Sequence, residues 1–113
     1  MSGLQGMEDL RREFLTEAGA LLAEVGDKLA ELEKRPTDRR LLNDISRSLH
    51  IIKGGAGFFG VNPLAALCHD TESLFGQMRD RTAVLDTSLM KIILEATATV
   101  RAMFECLAAT AEP

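Results

Sequence analysis

The chain contains no tryptophan and no tyrosine; aromatic residues make up 4% of it, all phenylalanine. Nucleic-acid surfaces stack bases on aromatics and follow phosphates with basic charge. With 13 Lys and Arg against 17 Asp and Glu, a net charge of −4, the composition argues against a nucleic-acid partner. Cysteine is scarce as well: Cys68 and Cys106 stand alone without CxxC spacing. That spacing indicates neither a disulfide framework nor a zinc site, and two buried, reduced thiols are expected. No apolar run is long enough to cross a membrane, and the first six residues, Met1 to Gly6, lack the charged and apolar regions of a signal peptide. A cytoplasmic chain without membrane contact is the default expectation. Also missing are a glycine-rich phosphate loop running into Lys and Ser or Thr, and an acidic cluster for Mg²⁺. The chain is therefore expected to hold no cofactor or metal and not to bind ATP alone.

What is present is helical. The 113 residues, 46% hydrophobic and 27% charged, suit one globular domain over 1–113 with a single core. Leu10, Phe14, Ala18, Leu21, Val25, Leu29 and Leu32 keep one apolar stripe and predict a first helix over about 7–34, with Glu8, Asp9 and Glu13 near its start. Gly19 and Gly26 weaken it locally, which close packing against another helix would explain. After Arg35-Pro36, Thr37 or Asp38 can cap a second helix, about 38–59, with its stripe at Leu41, Ile45, Leu49, Ile52, Ala56 and Phe59. Gly60 suits a helix end and Asn62-Pro63 a helix start, giving a third helix over about 63–80 with Leu64, Leu67, Thr71, Leu74, Phe75 and Met78 inward. Arg79 and Arg81 fall where cations suit a helix C-terminus. Beyond the Thr82–Leu85 connection, Asp86 can cap a fourth helix, about 87–109, with Leu89, Ile93, Ala96, Val100, Met103 and Leu107 inward. Four amphipathic helices with short connections predict an all-α, antiparallel up-down four-helix bundle.

The second helix carries residues that stability alone does not account for. Gly54, Gly55 and Gly57 each cost about 1 kcal/mol against alanine in a helix interior. At 100° per residue, Ser46, His50, Lys53, Gly54 and Gly57 form a stripe turned away from the apolar one. His50 thus faces outward with glycine at i+4 and i+7, the positions that would otherwise crowd its ring, and with the Lys53 cation at i+3. An exposed nucleophile, a cation and bare backbone suit the arrival of an anionic group on a large partner. Arg47, one turn earlier, reads as a solvated charge.

The short connection fixes a register. In an antiparallel pair turning about residue 61, residues equally far from the turn lie opposite each other. His50 then opposes Glu72, and Lys53 opposes His69. A carboxylate that accepts Nδ1–H of an imidazole fixes the tautomer and leaves Nε2 as the free nucleophile. His69 would at most extend this network.

The run His50-Ile-Ile-Lys53-Gly54-Gly55-Ala56-Gly57-Phe58-Phe59-Gly60 resembles the phosphorylation motif of histidine phosphotransfer (HPt) domains. It is most similar to the amino-terminal phosphotransfer domains of CheA-type chemotaxis histidine kinases. His69-Asp70-Thr71-Glu72, followed by Leu74, resembles the His-x-x-Glu motif of that type, whose glutamate hydrogen-bonds the phosphorylated histidine. The resemblance implies that His50 is phosphorylated on Nε2, that Glu72 orients its Nδ1, that Lys53 neighbours the phosphoryl group and that His69 belongs to the network. Gly54 and Gly57 would clear room for docking. The implied partners are a histidine kinase catalytic domain, which supplies ATP and Mg²⁺, and a response-regulator receiver domain of the CheY or CheB kind. The isolated domain would be a carrier rather than an enzyme, one part of a larger kinase. CheA-type domains are described with a further helix after these four, which would be missing here or belong to a longer parent.

Three other readings compete. A hybrid-kinase HPt module would share the chemistry with a receiver as donor. A helical interaction module would make His50 incidental. A metal site from His50, His69 and Cys68 has poor spacing. Ile51 and Phe58 point away from the core stripe and belong either under another helix or on a docking surface.

Overall fold

The computed structural model describes residues 3–35, 37–80 and 87–111. They form four α-helices: α1 Gly3–Lys34, α2 Arg39–Phe58, α3 Asn62–Arg79 and α4 Thr87–Ala111. Each helix packs on two neighbours: α1 on α2 and α4, and α3 on α2 and α4. The four therefore stand at the corners of a square, as an antiparallel bundle measuring 51 × 21 × 21 Å. A 32-residue helix spans about 48 Å, so α1 sets the long dimension.

The core follows the apolar stripes with small changes of phase. One cluster joins Val25, Leu29, Leu32, Leu41, Leu42, Ile45, Leu49, Phe75, Met78 and Ile93; the other joins Ala18, Leu22, Ile52, Ala56, Leu64, Cys68, Val100 and Phe104. In α1, Leu22 is buried where Leu21 was expected, and Leu10 remains exposed. Ala18, Val25, Leu29 and Leu32 are buried as expected, and because α1 touches helices on both flanks its buried arc takes in Leu22 and leaves Leu21 at the margin. Thr97 and Phe104 likewise take core places in α4, with Ala96, Met103 and Leu107 at its margin. Leu67 and Leu74 are only partly buried, and Cys68 sits between them in the core.

The helix ends explain how α2 and α3 are set. Asp38 caps α2, its Oδ1 accepting from the backbone N–H groups of Arg40 and Leu41. At the other end Gly60 takes φ +76°, the left-handed conformation that glycine adopts without a Cβ penalty. Val61 N–H then donates to Ala56 O, and Gly60 N–H to Gly57 O, closing the helix on itself. The chain re-enters a helix at once, so Asn62 is not the cap that its residue type suggested. Val61 holds the cap position without a side-chain bond, and Pro63 lies in the first turn. The start of α1 also differs from expectation. It begins at Gly3, so Glu8, Asp9 and Glu13 fall beyond its first turn, where the helix dipole is weak. Arg81, the Thr82–Leu85 connection, the Asp86 cap and the side chain of Leu89 lie outside the described residues.

Three glycines mark close approaches between helices. A Cβ on Gly19 would touch the Phe104 ring at 3.5 Å, and one on Gly26 would meet the Arg101 guanidinium at 2.6 Å. A Cβ on Gly55 would overlap the ring of Phe14. Gly55 is therefore required by the packing of α1 on α2, with Phe14 lying over bare backbone and against Phe59 at 5.5 Å between ring centroids.

Candidate functional site

The α2–α3 seam brings an imidazole, a carboxylate and an ammonium together. Nδ1 of His50 lies 3.0 Å from Oε2 of Glu72 and 3.2 Å from Oε1. Nζ of Lys53 donates to Oε1 of the same carboxylate at 3.2 Å. The tight Gly60 turn produces this pairing, because it fixes which turn of α3 stands beside each turn of α2. Lys53 was expected opposite His69. Its long side chain instead reaches along the seam to Glu72, whose carboxylate it can neutralise. His69 does not join the group: its Nδ1 lies 3.4 Å from Oδ1 of its neighbour Asp70, and both side chains are exposed.

Burial grades the three groups. The His50 side chain is 67% exposed, against 25% for Lys53 and 20% for Glu72. The ring thus projects into solvent from a base that is partly dry. Burial alone would raise the Glu72 carboxyl, but the hydrogen bonds and charges of Lys53 and His50 outweigh it and hold the group below its ordinary value. Glu72 is therefore ionised at neutral pH. An ionised carboxylate can only accept, so Nδ1 of His50 must carry the proton. In the neutral ring Nε2 then keeps its lone pair, on the side away from Glu72.

The surroundings divide by role. A Cβ added at Gly54 or Gly57 would have no atom within 4 Å. Neither glycine is needed for packing, and neither is needed to spare the His50 ring, which a methyl group would not touch. The space beside both glycines is open. Ile51 and Phe58 are 49% and 67% exposed, so no described helix covers them. Beneath the seam, Cys68 is fully buried one turn before Glu72. Burial, together with the Glu72 charge, pushes its thiol up to about 11, so it stays protonated. Cys106, expected inside, is exposed on α4.

Among the described residues no group of three His, Cys, Asp or Glu side chains is placed to hold a metal ion. No described helix is long and apolar enough to cross a membrane. The residue that sequence reasoning missed is Phe14. Its ring seats Gly55 and so holds the α2 segment after His50, and only its apolar character in α1 hinted at a contact.

Comparison with known proteins gives consistent matches. A family model described as "Hpt domain" matches residues 9–110. The chemotaxis protein CheA of Salmonella typhimurium is 36% identical over 89 residues, covering 79% of this chain and 13% of that protein. The chain thus spans only about an eighth of the length of such curated relatives. Among solved structures, the CheA phosphotransferase domain from Thermotoga maritima superposes with a TM-score of 0.81 at 30% identity, covering 89% of this chain and 96% of that one. The phosphorylated P1 domain of CheA3 from R. sphaeroides, solved in complex with CheY6, gives a TM-score of 0.81 at 24% identity. That match covers 91% of this chain and 80% of that one, and attests the fold.

Proposed function

The chain belongs to the Hpt domain family, and from that premise we propose that His50 is the phosphoryl carrier of a chemotaxis-type two-component phosphorelay. The observation that carries this reading is the contact of Glu72 with Nδ1 of His50 at 3.0 Å, which leaves Nε2 exposed as a lone-pair nucleophile.

The lone pair of Nε2 attacks the γ-phosphorus of ATP held, with Mg²⁺, by a histidine kinase catalytic domain. The P–Nε2 bond forms, the bond to the bridging oxygen breaks, and ADP leaves. The ring keeps its Nδ1 proton throughout and becomes cationic, and Glu72 faces that charge. Transfer reverses the electron flow. An aspartate oxygen of a receiver domain attacks the phosphorus, the P–N bond breaks, and the ring returns to its neutral tautomer. Such transfers depend on in-line positioning and charge stabilisation, so one oriented imidazole suffices on this side. Lys53 neutralises Glu72 before loading and offers a cation to the phosphoryl oxygens afterwards. Phe14, through Gly55, acts as a positioning residue for α2. The R. sphaeroides P1 domain was solved in complex with CheY6, and we extend that class of partner, a CheY-like receiver, to this chain.

Incubation with a histidine kinase catalytic domain and γ-labelled ATP tests the proposal. We expect acid-labile label on the chain, none on His50→Gln, and passage of label to an added receiver domain. Unlabelled wild-type chain, or label that persists in His50→Gln, refutes it.

A further inference from the structure

The exposed face of α2 changes character at His50. Between Arg39 and Phe58 the helix carries four cations, Arg39, Arg40, Arg47 and Lys53, and one acid, Asp44, in a chain whose net charge is −4. Asp44 is paired with Lys28 at 3.4 Å, and Lys53 is turned onto Glu72. Arg40 and Arg47 are exposed, and among the described residues neither makes an ion pair. One heptad apart, they lie on one side of the helix about 10 Å from each other. Past His50 the same face has no free charge: Ile51 and Phe58, also a heptad apart, are 49% and 67% exposed with the bare backbone of Gly54 and Gly57 between them.

The imidazole therefore stands at the boundary between a cationic half and an apolar half of a single helical face. Resting on the phosphocarrier reading, we propose that this polarity sets which way round the receiver domain docks. The occupant is a receiver whose apolar patch lies over Ile51, Gly54 and Phe58 and whose acidic rim lies over Arg40 and Arg47. Charge complementarity argues for that occupant. A domain that accepts phosphoryl groups on an aspartate with Mg²⁺ must gather further carboxylates around that aspartate to hold the ion. On this chain, whose net charge is −4, those acids meet a cationic strip at Arg40 and Arg47. The two halves also divide the work. Exposed charge acts at long range on the rate of encounter and is screened by salt, whereas apolar burial acts at contact and is not.

The test loads the chain with phosphoramidate, which transfers its phosphoryl group to Nε2 with release of ammonia and needs no partner protein. Transfer from loaded chain to a CheY-like receiver is then timed by rapid quench across a range of KCl, with the loaded fraction of every variant measured by mass. Arg40→Glu with Arg47→Glu is expected to slow transfer at least about tenfold at low salt, with the gap closing as KCl approaches about 1 M, where the Debye length falls to about 3 Å. Ile51→Ser with Phe58→Ser is expected to slow it by a similar factor at every salt concentration. Loss of rate from the arginine reversal that is independent of salt, or no loss from either pair in folded protein, overturns the docking proposal. Failure of wild-type chain to load on His50, or of loaded chain to donate to any receiver, would instead overturn the phosphocarrier reading.

Discussion

Both oxygens of Glu72 face Nδ1 of His50 across the α2–α3 seam, at 3.0 and 3.2 Å, while Lys53 holds one of them from the side. A hydrogen bond to a charged group contributes about 1.5–3 kcal/mol. Glu72→Ala is therefore expected to leave the bundle folded by circular dichroism and to slow phosphorylation of His50 by about 10- to 100-fold, at about 1.4 kcal/mol per factor of ten. An unchanged loading rate in the folded variant would remove the orienting role.

The lowered Glu72 value carries a sign. A carboxyl whose folded value lies below its unfolded one contributes stability that is fully present above the unfolded value, about 4.5, and lost as pH falls through the folded one. The stability advantage of wild type over Glu72→Gln, read from urea midpoints, should hold steady just above that value and shrink below it. An advantage that persists unaltered well into acid would mean that the carboxylate is not held by its neighbours.

The glycines of α2 should respond oppositely. Gly55→Ala places a methyl group in the Phe14 ring and is expected to cost about 1–3 kcal/mol. Gly54→Ala meets nothing within 4 Å and is expected to gain up to about 1 kcal/mol from helix propensity. Thermal or urea unfolding of the two variants checks both, and Phe14→Leu should lessen the cost of Gly55→Ala.

The two thiols should separate by reactivity. Cys106 is exposed and Cys68 is buried with its thiol pushed up to about 11. Dithionitrobenzoate at neutral pH should label one thiol in native protein and two in denaturant, and Cys106→Ser should abolish the native reaction. Rapid native labelling of Cys68 would show that the seam opens.

Much of this arrangement was legible in the residue order. The spacing of Leu41, Ile45, Leu49, Ile52 and Ala56 defined α2 and its buried face, and all five are buried. Gly60 gave the turn, and the distance from that turn gave the facing of His50 and Glu72. These are local properties: helical periodicity and a three-residue connection leave little freedom, so counting along the chain suffices. The three-dimensional packing decided the rest. Whether Leu21 or Leu22 faces inward depends on how two flanking helices share α1. Where Lys53 ends depends on the reach of a flexible side chain among competing acceptors, which parted it from His69. That Gly55 serves a contact with Phe14 while Gly54 and Gly57 stand open cannot be read from three glycines within four residues, because a missing side chain records an absence and only the neighbouring helix shows what fills it.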